Sequence, residues 1–203
     1  SMTAPMRQAS AVDSAHYLQS EANNLASFLY FLRENYKEAY QRIVSYVRTV
    51  IPQFGDFYLE PERGYISLKW TDNTANDYVF NAEQFSDGSI RFIALATLLL
   101  QPQETMPHVI IIDEPELGLH PYAIDQLAEM IKDASLHAQI VLATQSPALI
   151  DGFGIGCISV IEQDEEKHCT VARNLDSATY GEWLEEYTNS ELWNKNVLGG
   201  RPV

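Results

Sequence analysis

Apolar residues recur at helical spacing in the first quarter of the chain. Leu25, Phe28, Leu29 and Leu32 share one face and predict a helix from Ser20 to Arg33, with Ser20 available to cap it. Tyr36, Ala39, Tyr40, Ile43, Val47 and Val50 predict a second helix from Asn35 to Val50, stopped by Pro52. The period then falls to two. Phe57 and Leu59, then Tyr65, Ile66, Leu68 and Trp70, alternate with their neighbours, and Gly64 and Asp72-Asn73 supply turns. Between Phe54 and Asn81 this predicts two or three antiparallel strands. Helix returns from Ser89 to Leu100, ended by Pro102.

Two later runs have no alternation. Val109–Ile112 is continuously aliphatic and Ile140–Ala143 is its near repeat, a pattern that predicts strands buried on both faces. Between them Pro121–Leu136 reads as a helix with proline in its first turn. Pro147–Ile150 predicts a short helix, Ile158–Ile161 and Cys169–Ala172 two strands around an acidic turn at Asp164–Lys167, and Tyr180–Tyr187 and Ser190–Asn196 two closing helices. Residues 1–15 read as a flexible leader whose Ser1-Met2 start is a tag remnant, and residues 16–203 as one unit. The strand–helix–strand order predicts an α/β fold, with a parallel sheet core, flanking helices and a small antiparallel element. In such sheets ligands bind beyond the C-terminal ends of the strands, which directs attention to Asp113, Glu114 and Gln145.

The chemistry at those ends is specific. After four aliphatic residues, Asp113 and Glu114 emerge where water and ligand can reach. Asp113 is suited to hold the water shell of Mg²⁺, a hard cation that takes oxygen ligands in octahedral geometry. Glu114, one residue on, points elsewhere and can polarise an attacking water. An isolated Asp-Glu at a strand end would be read as a solvated cap. A second candidate is Phe85-Ser86-Asp87-Gly88-Ser89, ahead of the apolar helix. A helix start presents unpaired N–H groups and partial positive charge, Gly88 allows close approach to the backbone, and the Ser86 hydroxyl can meet a phosphate oxygen. A plain N-cap fits the same residues. The second strand opens onto Thr144-Gln145-Ser146-Pro147, again polar residues at a strand mouth.

The run VIIIDEPELGLHP resembles the Walker B segment and D-loop of ABC-type ATPases, in the form seen in bacterial AAA-family ATPases related to SMC and recombination-repair ATPases. That resemblance implies Asp113 as the Mg²⁺-linked acid and Glu114 as the catalytic base. It matches Leu117-Gly118-Leu119-His120-Pro121 to the D-loop, which crosses a dimer interface, so Gly118 and His120 become candidate nucleotide contacts. His120 by itself would pass for an ordinary helix-start residue. Ser86-Asp87-Gly88-Ser89 resembles the signature motif, which meets the γ-phosphate held by a partner protomer. Asp87 departs from the Gly-Gly of transporters, and Arg91, one turn on, is the cation expected to offset it. Thr144-Gln145-Ser146-Pro147 resembles the switch segment, with Gln145 standing where histidine is expected; glutamine can donate to a phosphate but cannot carry a proton charge.

The resemblance implies ATP and Mg²⁺ as cofactors and the C-terminal lobe of an ABC-type ATPase head as the fold. A P-loop requires Gly-Lys, and no Gly-Lys dipeptide occurs in the 203 residues. The expected partners are therefore the protein's own N-terminal P-loop lobe and a second copy in an ATP-bound homodimer. The chain alone is expected to bind ATP weakly and to be inactive. The closing segment, Trp183 to Pro202, also resembles the family's tail, which implies a natural C-terminus and a cut N-terminus.

Charge narrows the partners. The net charge is −15, so the main DNA-binding surface is not expected on this chain, and DNA contact falls to parts outside it. Hydrophobic residues make up 46%, enough for a packed core. The longest greasy run, Ala94–Leu100, is far short of a membrane span, and no secretory signal opens the chain, so a cytoplasmic protein is expected. Cys157 and Cys169 are placed in neighbouring strands, as free thiols of a reducing compartment rather than a disulfide. A non-catalytic, nucleotide-dependent assembly module is the rival reading, favoured by Gln145 and the acidic surface and opposed by the retained Asp113 and Glu114. The acids Asp151, Glu162, Asp164 and Glu165 read as turn acids and give no support to an attached nuclease.

Overall fold

The computed structural model describes residues 3–14, 16–74, 78–164 and 168–200. In chain order the elements are β1 (Ser10–Ala11), α1 (Leu25–Asn35), α2 (Lys37–Val50), β2 (Phe54–Tyr58), β3 (Tyr65–Ile66), β4 (Lys69–Asp72), β5 (Val79–Asn81), α3 (Asp87–Leu100), β6 (Val109–Asp113), α4 (Pro121–Ala134), β7 (Gln139–Ala143), α5 (Pro147–Asp151), β8 (Ser159–Asp164), β9 (Cys169–Asn174), α6 (Ser177–Leu184) and α7 (Asn189–Asn194). Two compact units divide the chain, Ser1–Ala143 and Thr144–Val203.

In the first unit α3 is the central element. Ile90, Phe92, Ile93, Ala96 and Leu99 are buried on every side of it, and α2 and α4 both pack against it. An all-round apolar helix must be enclosed, and this one is. The antiparallel sheet has the order β2-β4-β5. It is tied to the start of α3 by aromatics: Trp70 stacks on Phe85 with ring centroids 4.9 Å apart, and Phe54 on Trp70 at 6.1 Å. Phe85, so held, immediately precedes Ser86.

Three expectations change here. Helix α1 begins at Leu25, with Asn24 rather than Ser20 at its N-cap position. Ala22 takes a left-handed φ of 51° and the Asn24 amide bonds Gln19 N–H and the Tyr17 carbonyl, so the residues before Leu25 form a loop. The stretch expected to be a loose leader holds structure: Ser10 and Ala11 pair with Ile66 and Tyr65, and the Ser10 hydroxyl donates to Ser27. Residues 1, 2 and 15 of that stretch lie outside the described residues. The third change concerns the aliphatic strands. β6 and β7 do pair in parallel, Ile110 with Ile140 and Asp113 with Ala143, but only Ile110 is buried. Among the described residues the parallel sheet has these two strands alone. Paired residues share a face, so Ile110, Ile112, Ile140 and Leu142 form the covered side and Val109, Ile111 and Val141 the open one, with Ile111 76% exposed.

In the second unit the hairpin β8–β9 and helices α6 and α7 enclose Ile155, Val160, Leu175, Tyr180, Leu192 and Leu198. Arg173 donates to the Tyr180 hydroxyl at 3.1 Å and the Leu198 carbonyl at 2.7 Å, and Gly200 N–H donates to Glu162 at 2.8 Å, which fastens the final turn to the hairpin. Residues 165–167 of the expected acidic turn, and Arg201 and Pro202 of the expected tail, lie outside the described residues. Both cysteines are free and exposed; Cys157 lies in a 3-10 turn before β8 and not in a strand, at the hairpin end opposite Cys169.

Tyr40, buried in α2, donates to the exposed Asp56 carboxylate at 2.7 Å. Burial, and then the Asp56 carboxylate, push the Tyr40 phenol well above the usual tyrosine range. Folded Tyr40 holds its proton more tightly than the unfolded chain, whose tyrosines ionise at about pH 10. The stability this gives is complete below about pH 10 and is lost as pH rises from there toward the folded pKa. Tyr40→Phe is expected to cost about 1 kcal/mol at neutral pH and to weaken the alkaline decline; urea denaturation at neutral pH and at about pH 10.5 checks both.

Candidate active site at the end of the parallel strands

β6 runs into its last pair, Asp113 opposite Ala143, and the ladder continues one bond further, Glu114 N–H to the Ala143 carbonyl at 2.8 Å. There the chain turns. Glu114 has φ 44°, a left-handed conformation that costs a residue with a Cβ roughly 1–2 kcal/mol. Its carbonyl accepts from Leu117 N–H at 3.1 Å and from Arg91 Nη2 at 2.6 Å, and the same Nη2 donates to the Asp113 carbonyl at 3.3 Å. Such outliers concentrate where the surroundings over-determine the backbone, often at active sites. Asp113 lies on the open face with Val109 and Ile111 and is itself exposed; Glu114 is half-buried.

The loop that follows, through Gly118 at φ 78°, ends on His120, the N-cap of α4. His120 Nδ1 accepts the Tyr122 N–H at 3.3 Å, so in the neutral ring the proton sits on Nε2, which is left as a donor. Ser86 is the N-cap of α3. Its hydroxyl oxygen accepts the Ser89 N–H at 3.0 Å and lies 2.8 Å from the Ser89 hydroxyl. Gly88 brings the two candidate segments together: a Cβ built on it would stand 2.2 Å from the Gly118 carbonyl oxygen. Ser86–Ser89 and Asp113–His120 therefore form one cluster, joined by a contact between two glycines.

Asp87 has partners that the expectation did not include. Arg7 pairs with it at 2.9 Å and Thr3 donates to it, while Arg91 reaches the carbonyls of Asp113 and Glu114. Arg7 also donates to the carbonyls of Ala82 and Phe85. Sequence reasoning missed both roles. Arg7 sits in the stretch read as leader, and a side chain that bonds carbonyls leaves no mark in a motif; the one signal for Arg91 was its place one turn into a helix that begins with Ser86.

Gln145 follows the end of β7 by two residues, in the second unit, and is exposed. Thr144 Oγ1 accepts Ser146 N–H at 2.9 Å, and Ser146 caps α5. β6 and β7 run the same way, so their ends at Asp113 and Ala143 lie side by side. Among the described residues no group of three or more His, Cys, Asp or Glu could hold a metal. A lone exposed Asp113 carboxylate still fits Mg²⁺, which keeps most of its waters and is commonly held by one or two carboxylates together with substrate phosphates.

The family model described as "AAA domain, putative AbiEii toxin, Type IV TA system" matches residues 8–151. No curated protein matches the chain. Among solved structures, an SMC ATPase from work on ATP-driven dimerization and DNA-stimulated activation is 17% identical, with TM-score 0.53 over 77% of this chain and 94% of that one. The SMC head bound to the C-winged helix domain of ScpA is 16% identical, with TM-score 0.58 over 83% of this chain and 50% of that one. The Pyrococcus furiosus Smc head with an extended coiled coil, bound to the C-terminal domain of ScpA, is 17% identical, with TM-score 0.54 over 82% and 44%. The chain thus spans half or less of the latter two. At these identities the likeness is one of fold, the α/β fold of SMC-type ATPase heads.

The glycine contact makes a stability prediction. Gly88→Ala must displace a backbone carbonyl and is expected to cost about 1–3 kcal/mol. Gly181→Ala, in α6, meets nothing within 4 Å and is expected to leave stability unchanged or raise it by up to about 1 kcal/mol. Urea denaturation of both variants beside the parent checks the opposite signs.

Proposed function

We propose a function from a single premise: the chain belongs to this AAA-domain family. It acts as the part of an SMC-like, ABC-type ATPase that supplies the Walker B, signature, D-loop and switch segments, and it hydrolyses ATP together with a P-loop lobe carried by another segment of the same protein. The observation that carries the reading is the single cluster of Asp113, left-handed Glu114 and the Ser86-capped start of α3. The open face of Val109, Ile111 and Val141 supports a further segment over the sheet, because strands of parallel sheets are ordinarily covered on both sides.

In this reading Glu114 orients water for attack on the γ-phosphate and takes its proton. Asp113 holds the water shell of Mg²⁺, which when bound neutralises charge on the phosphate oxygens. Ser86, Gly88 and the N–H groups at the start of α3 stabilise charge on the nucleotide of a second copy, with Asp87 held aside by Arg7. Ser89 braces the Ser86 hydroxyl, Gly118 and His120 lie at the dimer face, and Gln145 donates to phosphate without titrating. An ATP-bound homodimer follows, like the ATP-driven dimerization described for the SMC relative. The task is DNA-related or defensive, in a cytoplasmic protein. The family's association with toxin–antitoxin systems supports defence, and the net charge of −15 leaves DNA contact to other parts. Among the described residues no helix is long and apolar enough to cross a membrane. Gln145 favours one second reading, a non-catalytic nucleotide-dependent assembly module.

In the protein that joins this chain to its P-loop lobe, Glu114→Gln is expected to slow single-turnover hydrolysis by about 10²–10⁴-fold while ATP stays bound and dimers accumulate in light scattering. Ser86→Arg is expected to abolish the ATP-dependent dimer while each monomer still binds ATP. Near-normal turnover in Glu114→Gln would instead favour the assembly module.

A further inference from the structure

We propose that Arg91 is a positioning residue for hydrolysis, its guanidinium clamping the carbonyls of Asp113 and Glu114 so that Glu114 stays in the left-handed conformation that aims its carboxylate. The proposal rests on the reading of Glu114 as the residue that orients water.

The clamp has a fixed base. Ile90, Phe92 and Ile93, on either side of Arg91, are fully buried, so the backbone that carries the guanidinium cannot drift. From that base Nη2 reaches the Glu114 carbonyl at 2.6 Å and the Asp113 carbonyl at 3.3 Å. The carbonyl it holds belongs to a residue at φ 44°, where Cβ crowds the backbone and the chain tends to relax to negative φ. The Glu114 carbonyl also accepts the Leu117 N–H, and the Glu114 N–H is tied to Ala143, so both backbone groups of this residue are fixed. Of these restraints Arg91 supplies the charged one, and charge-assisted bonds are roughly twice as strong as neutral ones. The direction of the Glu114 side chain follows from its backbone. If φ relaxes, Cβ swings and the carboxylate leaves the place where it meets water. Arg91 touches neither water nor phosphate in this account. Its loss acts on the chemical step and spares nucleotide affinity.

The test uses the protein with its P-loop lobe, as the parent and as Arg91→Ala, Arg91→Lys, Glu114→Gln and the Arg91→Ala/Glu114→Gln double variant. Misplacement of a reacting group by about 1 Å costs about 100-fold, so Arg91→Ala is expected to lower kcat about 10- to 100-fold. KM for ATP is expected to stay within about two-fold, the pattern of a lost interaction that acts only in the transition state. Arg91→Lys keeps one charged donor and is expected to recover part of kcat. The double variant is expected to be no slower than Glu114→Gln alone, because both changes remove the same function. Parental kcat in Arg91→Ala, with Glu114→Gln blocked, overturns the proposal and leaves the base reading intact. A raised KM with losses that add to those of Glu114→Gln overturns it too, as the mark of general structural support. Near-normal turnover in Glu114→Gln overturns the base reading, and the positioning role with it. A crystal structure of Arg91→Ala tests the clamp without reference to turnover: Glu114 is expected at negative φ, and a retained φ near 44° overturns the proposal. Should Arg91→Ala fail to fold, Arg91→Lys carries the test, with intermediate kcat at unchanged KM expected and parental kcat overturning it.

Discussion

A parallel strand pair has no tight turn to hold its register; slanted hydrogen bonds and the layers that cover it must do so. In this chain β6 and β7 are joined through α4, and their register sets Asp113 opposite Ala143. The bond from Glu114 N–H to the Ala143 carbonyl exists only in that register, and it fixes where the chain leaves the sheet. A slip of one residue would turn Asp113 to the other face and carry Glu114 away from both Ala143 and Arg91. The left-handed turn, the loop through Gly118 and the cap of α4 on His120 all follow from that exit point.

The few cations are used with economy. The chain has 13 Lys and Arg against 28 Asp and Glu. Two of its arginines flank the first turns of α3 and bond backbone carbonyls: Arg7 those of Ala82 and Phe85, Arg91 those of Asp113 and Glu114. Arg7 also pairs with Asp87, an acid beside a candidate phosphate site. The start of α3 is thus braced on one side by the N-terminal stretch and on the other by the strand end. Phe85, stacked on Trp70, adds an apolar anchor directly ahead of the Ser86 cap.

Periodicity carried most of the fold. The helices and the antiparallel region were legible because each writes its burial into the spacing of its apolar residues, and the two aliphatic strands because each is an unbroken run of aliphatic residues ahead of polar ones. What failed was non-local. The exposure of Ile111 and Val141 depends on what else covers the sheet, which no local pattern encodes. The start of α1 depended on the Asn24 amide closing a loop, where Ser20 offered an equally good cap on paper. At the site, motif spacing singled out Asp113, Glu114, Ser86 and Gly88, yet gave no reason for the second property of Gly88, its contact with a carbonyl 30 residues on. The clamp of Arg91 was invisible because its partners are backbone atoms, the same for every residue type.

In the proposed function the strand end and the start of α3 form one nucleotide-handling body used by two different ATP molecules. A crystal structure of the protein, P-loop lobe included, with Mg²⁺ and a non-hydrolysable ATP analogue shows whether they do. Asp113 and Glu114 are expected against the Mg²⁺ and γ-phosphate of the nucleotide bound by their own protomer, and Ser86 and Gly88 against the γ-phosphate of the partner's. Nucleotide bound away from the ends of β6 and β7, or both segments turned from phosphate in an ATP-bound dimer, would contradict it.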